Sequence, residues 1–205
     1  CCGYKGYIIK EYFANYLLHT SDITFHMDES NKIEVHQRKN ESWKVTLVDT
    51  GDTSQTGGRL GRIRDYINDE TFFFTYGDGL ANVNIKKLLE LHKRTNKEAT
   101  LSAVQPPGRY GSLVIEEDLV SNFQEKPIGD NAWISGGFFV LEPSIFDKIE
   151  GDHISFENDV LPGIAQEKQL AVYKHKGFWQ AMDTLRDKMK LEDLIKQGNP
   201  PWTIF

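Results

Sequence analysis

The sequence predicts an α/β protein with a mixed sheet, and three observations carry that prediction. Short runs rich in β-branched and aromatic residues alternate along the chain with stretches of helical periodicity. The run Phe72-Phe73-Phe74 leads through Thr75-Tyr76-Gly77-Asp78-Gly79 into a helical pattern marked by Ile85, Leu88, Leu89 and His92. Trp133 to Leu141 reads as a strand interrupted by Gly136-Gly137, and glycines inside a strand mark a bulge or a close backbone approach. An unbroken aromatic run suits a central strand covered on both faces. Ligands of open α/β sheets sit outside the carboxyl ends of the strands, so Asp78 stands where a ligand would bind. Taken alone, Gly-Asp-Gly reads equally well as a strand-ending turn.

The elements follow in order. Tyr7, Ile8, Tyr12 and Phe13 predict an amphipathic helix over Tyr4 to Tyr16. Ile23 to Met27 and Ile33 to Gln37 read as strands around the polar turn Asp28 to Lys32, and Trp43 to Val48 alternates as a third strand. The polar stretch Thr53 to Gly58 feeds a helix whose face is Leu60, Ile63 and Ile67. A helix amino terminus offers free N–H groups to a phosphate or base carbonyl, although Gly-Gly before a helix is also ordinary capping geometry. After the helix that ends near Asn96 come strands over Ala99 to Val104, Gly111 to Ile115 and Leu119 to Gln124. The stretch from about Val104 to Leu141 is expected to form a β-rich wall of a cleft. Helical pieces at Ser144 to Ile149 and Glu157 to Gln166, strands at Gln169 to Tyr173 and Phe178 to Gln180, and a helix over Thr184 to Lys196 capped by Thr184 complete the chain.

A chain of 205 residues with 39% hydrophobic composition can bury one sizeable core, so a single domain over residues 1–205 is expected. The net charge of −6, with both signs interspersed, argues against a nucleic-acid or anionic-membrane surface and points to a small-molecule ligand. Two adjacent cysteines cannot make a disulfide framework, and no apolar run reaches membrane-spanning length; a cytoplasmic setting is expected. The opening Cys1-Cys2-Gly3, without Met or leader, reads as the end of a strand, so the chain is expected to be the carboxyl-terminal portion of a longer one.

Asp183, in Phe178-Trp179-Gln180-Ala181-Met182-Asp183, is a second carboxylate at a strand-to-helix junction. Two carboxylates brought together from separate strand ends make an oxygen site for a hard cation such as Mg²⁺, which fills its remaining positions with water and phosphate. Each aspartate on its own also reads as a helix cap. His92 lies on the apolar face of its helix and reads as a buried imidazole; His26, His36 and His175 lack ligand spacing, so no zinc site is expected.

Several blocks resemble, in this order, the motifs of sugar-1-phosphate nucleotidylyltransferases. They are Gly3-Tyr4-Lys5-Gly6, Val48-Asp49-Thr50-Gly51, Thr56-Gly57-Gly58-Arg59, Thr75-Tyr76-Gly77-Asp78-Gly79, Pro106-Pro107-Gly108-Arg109-Tyr110-Gly111, Phe123-Gln124-Glu125-Lys126-Pro127, Gly136-Gly137-Phe138-Phe139 and Met182-Asp183-Thr184-Leu185-Arg186-Asp187. Gly-Asp-Gly and Glu-Lys-Pro recur across the family, whereas the blocks around Thr50, Gly58 and Asp183 resemble its cytidylyl branch. The resemblance implies a Rossmann-like nucleotidyltransferase fold with a mixed central sheet and a smaller β-rich sugar-binding wall. It also implies attack of α-D-glucose 1-phosphate on CTP, with CDP-glucose and pyrophosphate as products.

By the same resemblance Asp78 and Asp183 hold Mg²⁺, and Thr56, Gly57, Gly58 and Arg59 line the nucleotide. Glu125 accepts sugar hydroxyls, Lys126 meets the phosphate as a catalytic cation, Gly111 and Gly137 admit the sugar, and Trp179 walls its pocket. Ser135 stands where family members carry Asn, so a sugar contact there runs through water. The family's Gly-Gly-x-Gly-Thr-Arg-Leu signature does not occur in these residues, and its first strand and helix are expected to be missing, leaving an exposed sheet edge. If these residues were the whole polypeptide, little turnover would be expected; as part of a longer product, the active enzyme. A homo-oligomer is expected. Three other readings remain: a glycosyltransferase of the nucleotide-diphospho-sugar fold, which normally carries Asp-x-Asp; a non-catalytic sugar or nucleotide binder; and an enzyme using dTTP or UTP.

Overall fold

Residues 1–36, 41–106, 112–125 and 132–203 are described by the computed structural model. They fall into two units, Cys1–Tyr66 with Ile149–Val160 and Ile67–Lys148 with Leu161–Phe205. Among the described residues no helix is long and apolar enough to cross a membrane.

In the first unit, the helix expected over Tyr4 to Tyr16 is divided into α1 (Gly6–Ala14) and α2 (Tyr16–Thr20). The break falls at Asn15, where the side-chain amide competes with the helical backbone N–H for the Glu11 carbonyl and the backbone leaves helical angles (φ −100°, ψ 15°). β1 (Asp22–Phe25) and β2 (Ile33–His36) form the expected antiparallel hairpin, with Phe25 opposite Ile33. The strand expected over Trp43 to Val48 does not form. Its end makes only a single parallel bridge, Cys2 to Asp49, held by Cys2 N–H to Val48 O at 2.7 Å and Thr50 N–H to Cys2 O at 2.8 Å. Alternating side chains suit a strand, but a strand also needs a ladder partner, and residues 41–47 have none among the described residues.

α3 (Thr56–Gly61) is shorter than the apolar face through Ile67 implied; a 3₁₀ turn at Arg64–Tyr66 follows it. It packs against a π-helical turn, Phe156–Val160, and the approach is close enough to require both glycines. A Cβ on Gly57 would lie 2.8 Å from the Ile154 carbonyl oxygen, and one on Gly58 would lie 2.5 Å from that of Asp152. Thr56 ties the two turns together, donating its hydroxyl to Glu157 Oε2 at 2.5 Å and accepting the Phe156 N–H at 2.9 Å.

The same loop carries a forked ion pair in which Arg62 Nε and Nη2 reach the two Asp152 oxygens at 2.8 and 2.5 Å. The hydrogen bond from Arg62 holds the Asp152 carboxyl below its ordinary value. A lowered folded-state pKa gives stability that is present above the unfolded value, about 3.9, and lost as pH falls through the folded one. Asp152→Asn is therefore expected to lower Tm slightly at neutral pH and to match the wild type in strong acid, where both are uncharged. An equal gap at both pH values in thermal melts would rule the pair out as its source.

The second unit is built on a four-stranded sheet in the order β3-β8-β5-β9, from β3 (Phe72–Thr75), β5 (Ala99–Val104), β8 (Ile134–Leu141) and β9 (Leu170–Lys174). The contacts of β8 with β3 and β5 are antiparallel and that of β5 with β9 is parallel, so the sheet is mixed, as expected. Among the described residues the aromatic strand β3 lies at the edge of this sheet, and Phe73 is 51% exposed. Three adjacent phenylalanines need not all be inward, because neighbouring side chains in a strand point to opposite faces. Phe72 and Phe74 take the inner positions, stacking on Phe146 and contacting Phe139.

β4 (Gly79–Ala81), which the sequence leaves as a turn, pairs with β10 (Trp179–Ala181). β6 (Ser112–Glu116) and β7 (Leu119–Gln124) pair with each other as a hairpin, so only β8 of the expected wall joins the main sheet. α4 (Ile85–Thr95) starts at Asn84, whose side chain accepts the Lys87 N–H, and Leu88 packs with Val83 and Val140 in the core. His92 is buried as expected, with Nδ1 2.9 Å from Thr100 Oγ1 and Nε2 2.8 Å from Glu142 Oε1.

The helical pieces after β8 are a 3₁₀ segment, Pro143–Lys148, and α5 (Leu161–Gln166), which continues directly from the π-helical turn. α6 (Leu185–Lys196) begins with Thr184 in a reciprocal capping box with Asp187.

Candidate active site

The pairing of β10 with β4 brings the two aspartates together. Its register places Ala181 opposite Gly79, and the Met182 N–H extends the ladder by donating to the Asp78 carbonyl at 2.8 Å. Asp78 and Asp183 therefore flank the last rung of one small sheet, although they lie far apart in the chain. Both are exposed, and among the described residues neither carboxylate has a hydrogen-bond or ion-pair partner. Asp183 also directly precedes the cap of α6, where the helix end favours negative charge.

Two unpartnered carboxylates fit a hard divalent cation that keeps water or phosphate in its other positions. No group of three or more metal-binding side chains occurs among the described residues, so this pair would not form an all-protein cage.

Asp78 shares a small concavity with Tyr76, Ser135, Gly137 and Trp179. Gly137 has φ +76°, in the left-handed region, and a Cβ there would lie 2.8 Å from the Tyr76 ring. Trp179 Nε1 donates to the Gly136 carbonyl at 2.8 Å, which fixes the indole as a wall. Ser135 Oγ lies 3.4 Å from the Gly137 nitrogen. Tyr76 is the residue that sequence reasoning missed; its signal was its place between the strand and Asp78.

Of the other expected site residues in the same unit, Glu125 does not line this concavity. Thr56, Gly57, Gly58 and Arg59 belong to α3 in the first unit. Arg59 is committed to the loop before it, donating to Thr50 Oγ1 at 3.0 Å, Gly51 O at 2.7 Å and Asp52 O at 3.2 Å. Glu125 is exposed just past β7. Gly111 and Lys126 lie outside the described residues.

Comparison with known proteins gives this geometry a family. The nucleotidyl transferase family model matches residues 58–196. Glucose-1-phosphate cytidylyltransferase of Salmonella typhi is 57% identical over 203 residues, covering 98% of this chain and 79% of that protein. The same enzyme of Salmonella typhimurium matches to the same extent. Among solved structures, HddC from Yersinia pseudotuberculosis superposes with TM-score 0.55 at 26% identity, covering 73% of this chain and 66% of that one. UDP-glucose pyrophosphorylase complexed with UDP-glucose superposes with TM-score 0.54 at 16% identity, covering 75% and 66%, a likeness of fold alone. With the family pattern spanning most of the described sheet and site, and more than half of the positions shared with a curated enzyme across nearly the whole of this chain, this chain belongs to the nucleotidyl transferase family.

Proposed function

We propose that this nucleotidyltransferase transfers a cytidylyl group from CTP to α-D-glucose 1-phosphate, giving CDP-glucose and pyrophosphate. The observation that carries this reading is the 57% identity to the Salmonella glucose-1-phosphate cytidylyltransferase. The juxtaposition of Asp78 and Asp183 beside the concavity of Gly137 and Trp179 supports it.

In this reaction a phosphate oxygen of the sugar attacks the α-phosphorus of CTP. The new P–O bond forms as the bond to the β-phosphate breaks, and the electron pair leaves with pyrophosphate. Little covalent work falls to the protein, so positioning and charge neutralisation provide the rate. Asp78 and Asp183 would hold Mg²⁺, which when bound neutralises the phosphate charge that grows on the leaving group. Gly137 lets the sugar lie against the backbone, Trp179 bounds it, Glu125 hydrogen-bonds its hydroxyls and Ser135 reaches them through water. Lys126 meets the sugar phosphate, Gly111 admits the sugar with Gly137, and Thr56, Gly57, Gly58 and Arg59 line the nucleotide.

The test is pyrophosphate release with glucose 1-phosphate and Mg²⁺, run in parallel with CTP, dTTP and UTP. Release with CTP at least roughly tenfold faster than with the others, a preference of about 1.4 kcal/mol, is the expected result. Equal rates, or preference for another nucleotide, would overturn the cytidylyl assignment.

A further inference from the structure

β5 and β8 run in regular antiparallel register at Ala99 to Leu101, opposite Leu141 to Phe139, and again at Ala103 and Val104, opposite Ser135 and Ile134. Between these stretches one residue of β5, Ser102, faces three of β8, namely Gly136, Gly137 and Phe138. β8 therefore bulges away from its partner, and the backbone groups in the bulge lose their ladder partners.

Buried peptide groups must find replacements, and here each comes from a different place. The Gly136 carbonyl accepts Trp179 Nε1–H at 2.8 Å, while the Gly137 carbonyl, on the β3 side, accepts the Tyr76 N–H at 3.2 Å and extends that ladder. The Phe138 N–H donates to Ser102 Oγ at 3.3 Å. Ser102 is fully buried, and its hydroxyl occupies the space under the bulge: a Cβ on Gly136 would lie 2.7 Å from that oxygen. A larger side chain at residue 102 would press on Gly136, and a smaller apolar one would leave the Phe138 N–H unpaired.

We propose that Ser102 is a positioning residue for the sugar phosphate: its hydroxyl holds the β8 bulge in the shape that presents Ser135, Gly137 and Trp179 beside Asp78. The inference rests on the reading of that concavity as the glucose 1-phosphate site. Ser102 does not line the concavity itself, so it acts through the backbone of β8. The loss on its removal should therefore fall on the sugar substrate and spare the nucleotide.

The experiment measures glucose 1-phosphate binding by calorimetry, and the KM of both substrates, for the wild type, Ser102→Ala and Thr100→Ala. Thr100 is equally buried two residues earlier on β5, but its hydroxyl pairs with His92. Ser102→Ala should raise Kd and KM for glucose 1-phosphate roughly tenfold, as expected for a buried donor left unpaired, with the KM for CTP within about twofold. Thr100→Ala should lower Tm and leave both KM values near the wild type. If Ser102→Ala does not fold, Ser102→Cys, of nearly the same shape with a weak acceptor, should show the same selective loss. Unchanged sugar binding in the serine variant, or an equal loss in Thr100→Ala, overturns the positioning role. Failure of the wild type to bind glucose 1-phosphate overturns the site reading itself, and with it the inference.

Discussion

Asp78→Asn and Asp183→Asn are each expected to lower pyrophosphate release by roughly 10²–10³-fold, about 3–4 kcal/mol of transition-state stabilisation. Asparagine keeps the shape and one oxygen of aspartate and loses the charge, so the fold should be untouched; both side chains are exposed and have no partner among the described residues. What disappears is half of a two-carboxylate donor set, and a hard cation depends on that charge. The effect should also be visible without turnover. Mn²⁺ binding followed by electron paramagnetic resonance should weaken in both variants, whereas thermal melts should be unchanged in Asp78→Asn and only slightly lowered in Asp183→Asn, which loses a charge beside the α6 amino terminus. Wild-type Mn²⁺ affinity in either variant would remove that residue from the metal site. Because Asp78 and Asp183 flank the same rung, the double variant should lose little more than either single one, the behaviour of groups acting as a unit.

Phe139→Ala is the substitution with the largest expected effect on stability, about 3–5 kcal/mol from lost transfer free energy and the cavity left behind. Phe139 has no exposed surface, and its ring contacts those of Phe74 and Tyr76 at centroid distances of 5.6 and 5.7 Å. It stands on β8 opposite Phe74 on one side and Leu101 on the other, so its side chain fills space at the centre of the sheet. For a chain of this length each kcal/mol moves Tm by roughly 2–4 °C, and a loss of about 6–20 °C is expected by differential scanning calorimetry. A shift below about 3 °C would mean that the neighbouring rings close the cavity. The substitution also removes a ring against which Tyr76 packs, so glucose 1-phosphate binding should weaken well below the melting transition.

The local chemistry of the site was legible in the sequence. Gly-Asp-Gly after an aromatic strand marked Asp78, the strand-to-helix junction marked Asp183 and the start of α6, and two glycines inside a strand marked the bulge of β8. Each is a local signal: a turn, a cap, or a residue type that tolerates positive φ. His92 was likewise readable as buried from its helical spacing. Arg59 shows the reverse. Its block suggested a fixed positive charge beside the nucleotide, and what fixes the guanidinium, the carbonyls of Gly51 and Asp52, is a set of contacts that no residue type announces.

The errors came from pairing. Among the described residues Trp43 to Val48 has the alternation of a strand and lacks a ladder, Phe72 to Phe74 has the hydrophobicity of a central strand and lies at an edge, and Gly79 to Ala81 has neither signal and forms a strand because Trp179 to Ala181 reaches it. By itself the sequence determined most of the helix and strand segments of the sheet unit and the family resemblance, because periodicity, capping and glycine placement report local backbone geometry. Tertiary structure alone decided that Asp78 and Asp183 share one rung, that β3 is an edge strand among the described residues, and that Ser102 fills the bulge behind Gly136. Those features depend on which distant backbone groups meet, and a strand carries no local mark of the partner that will complete its hydrogen bonds.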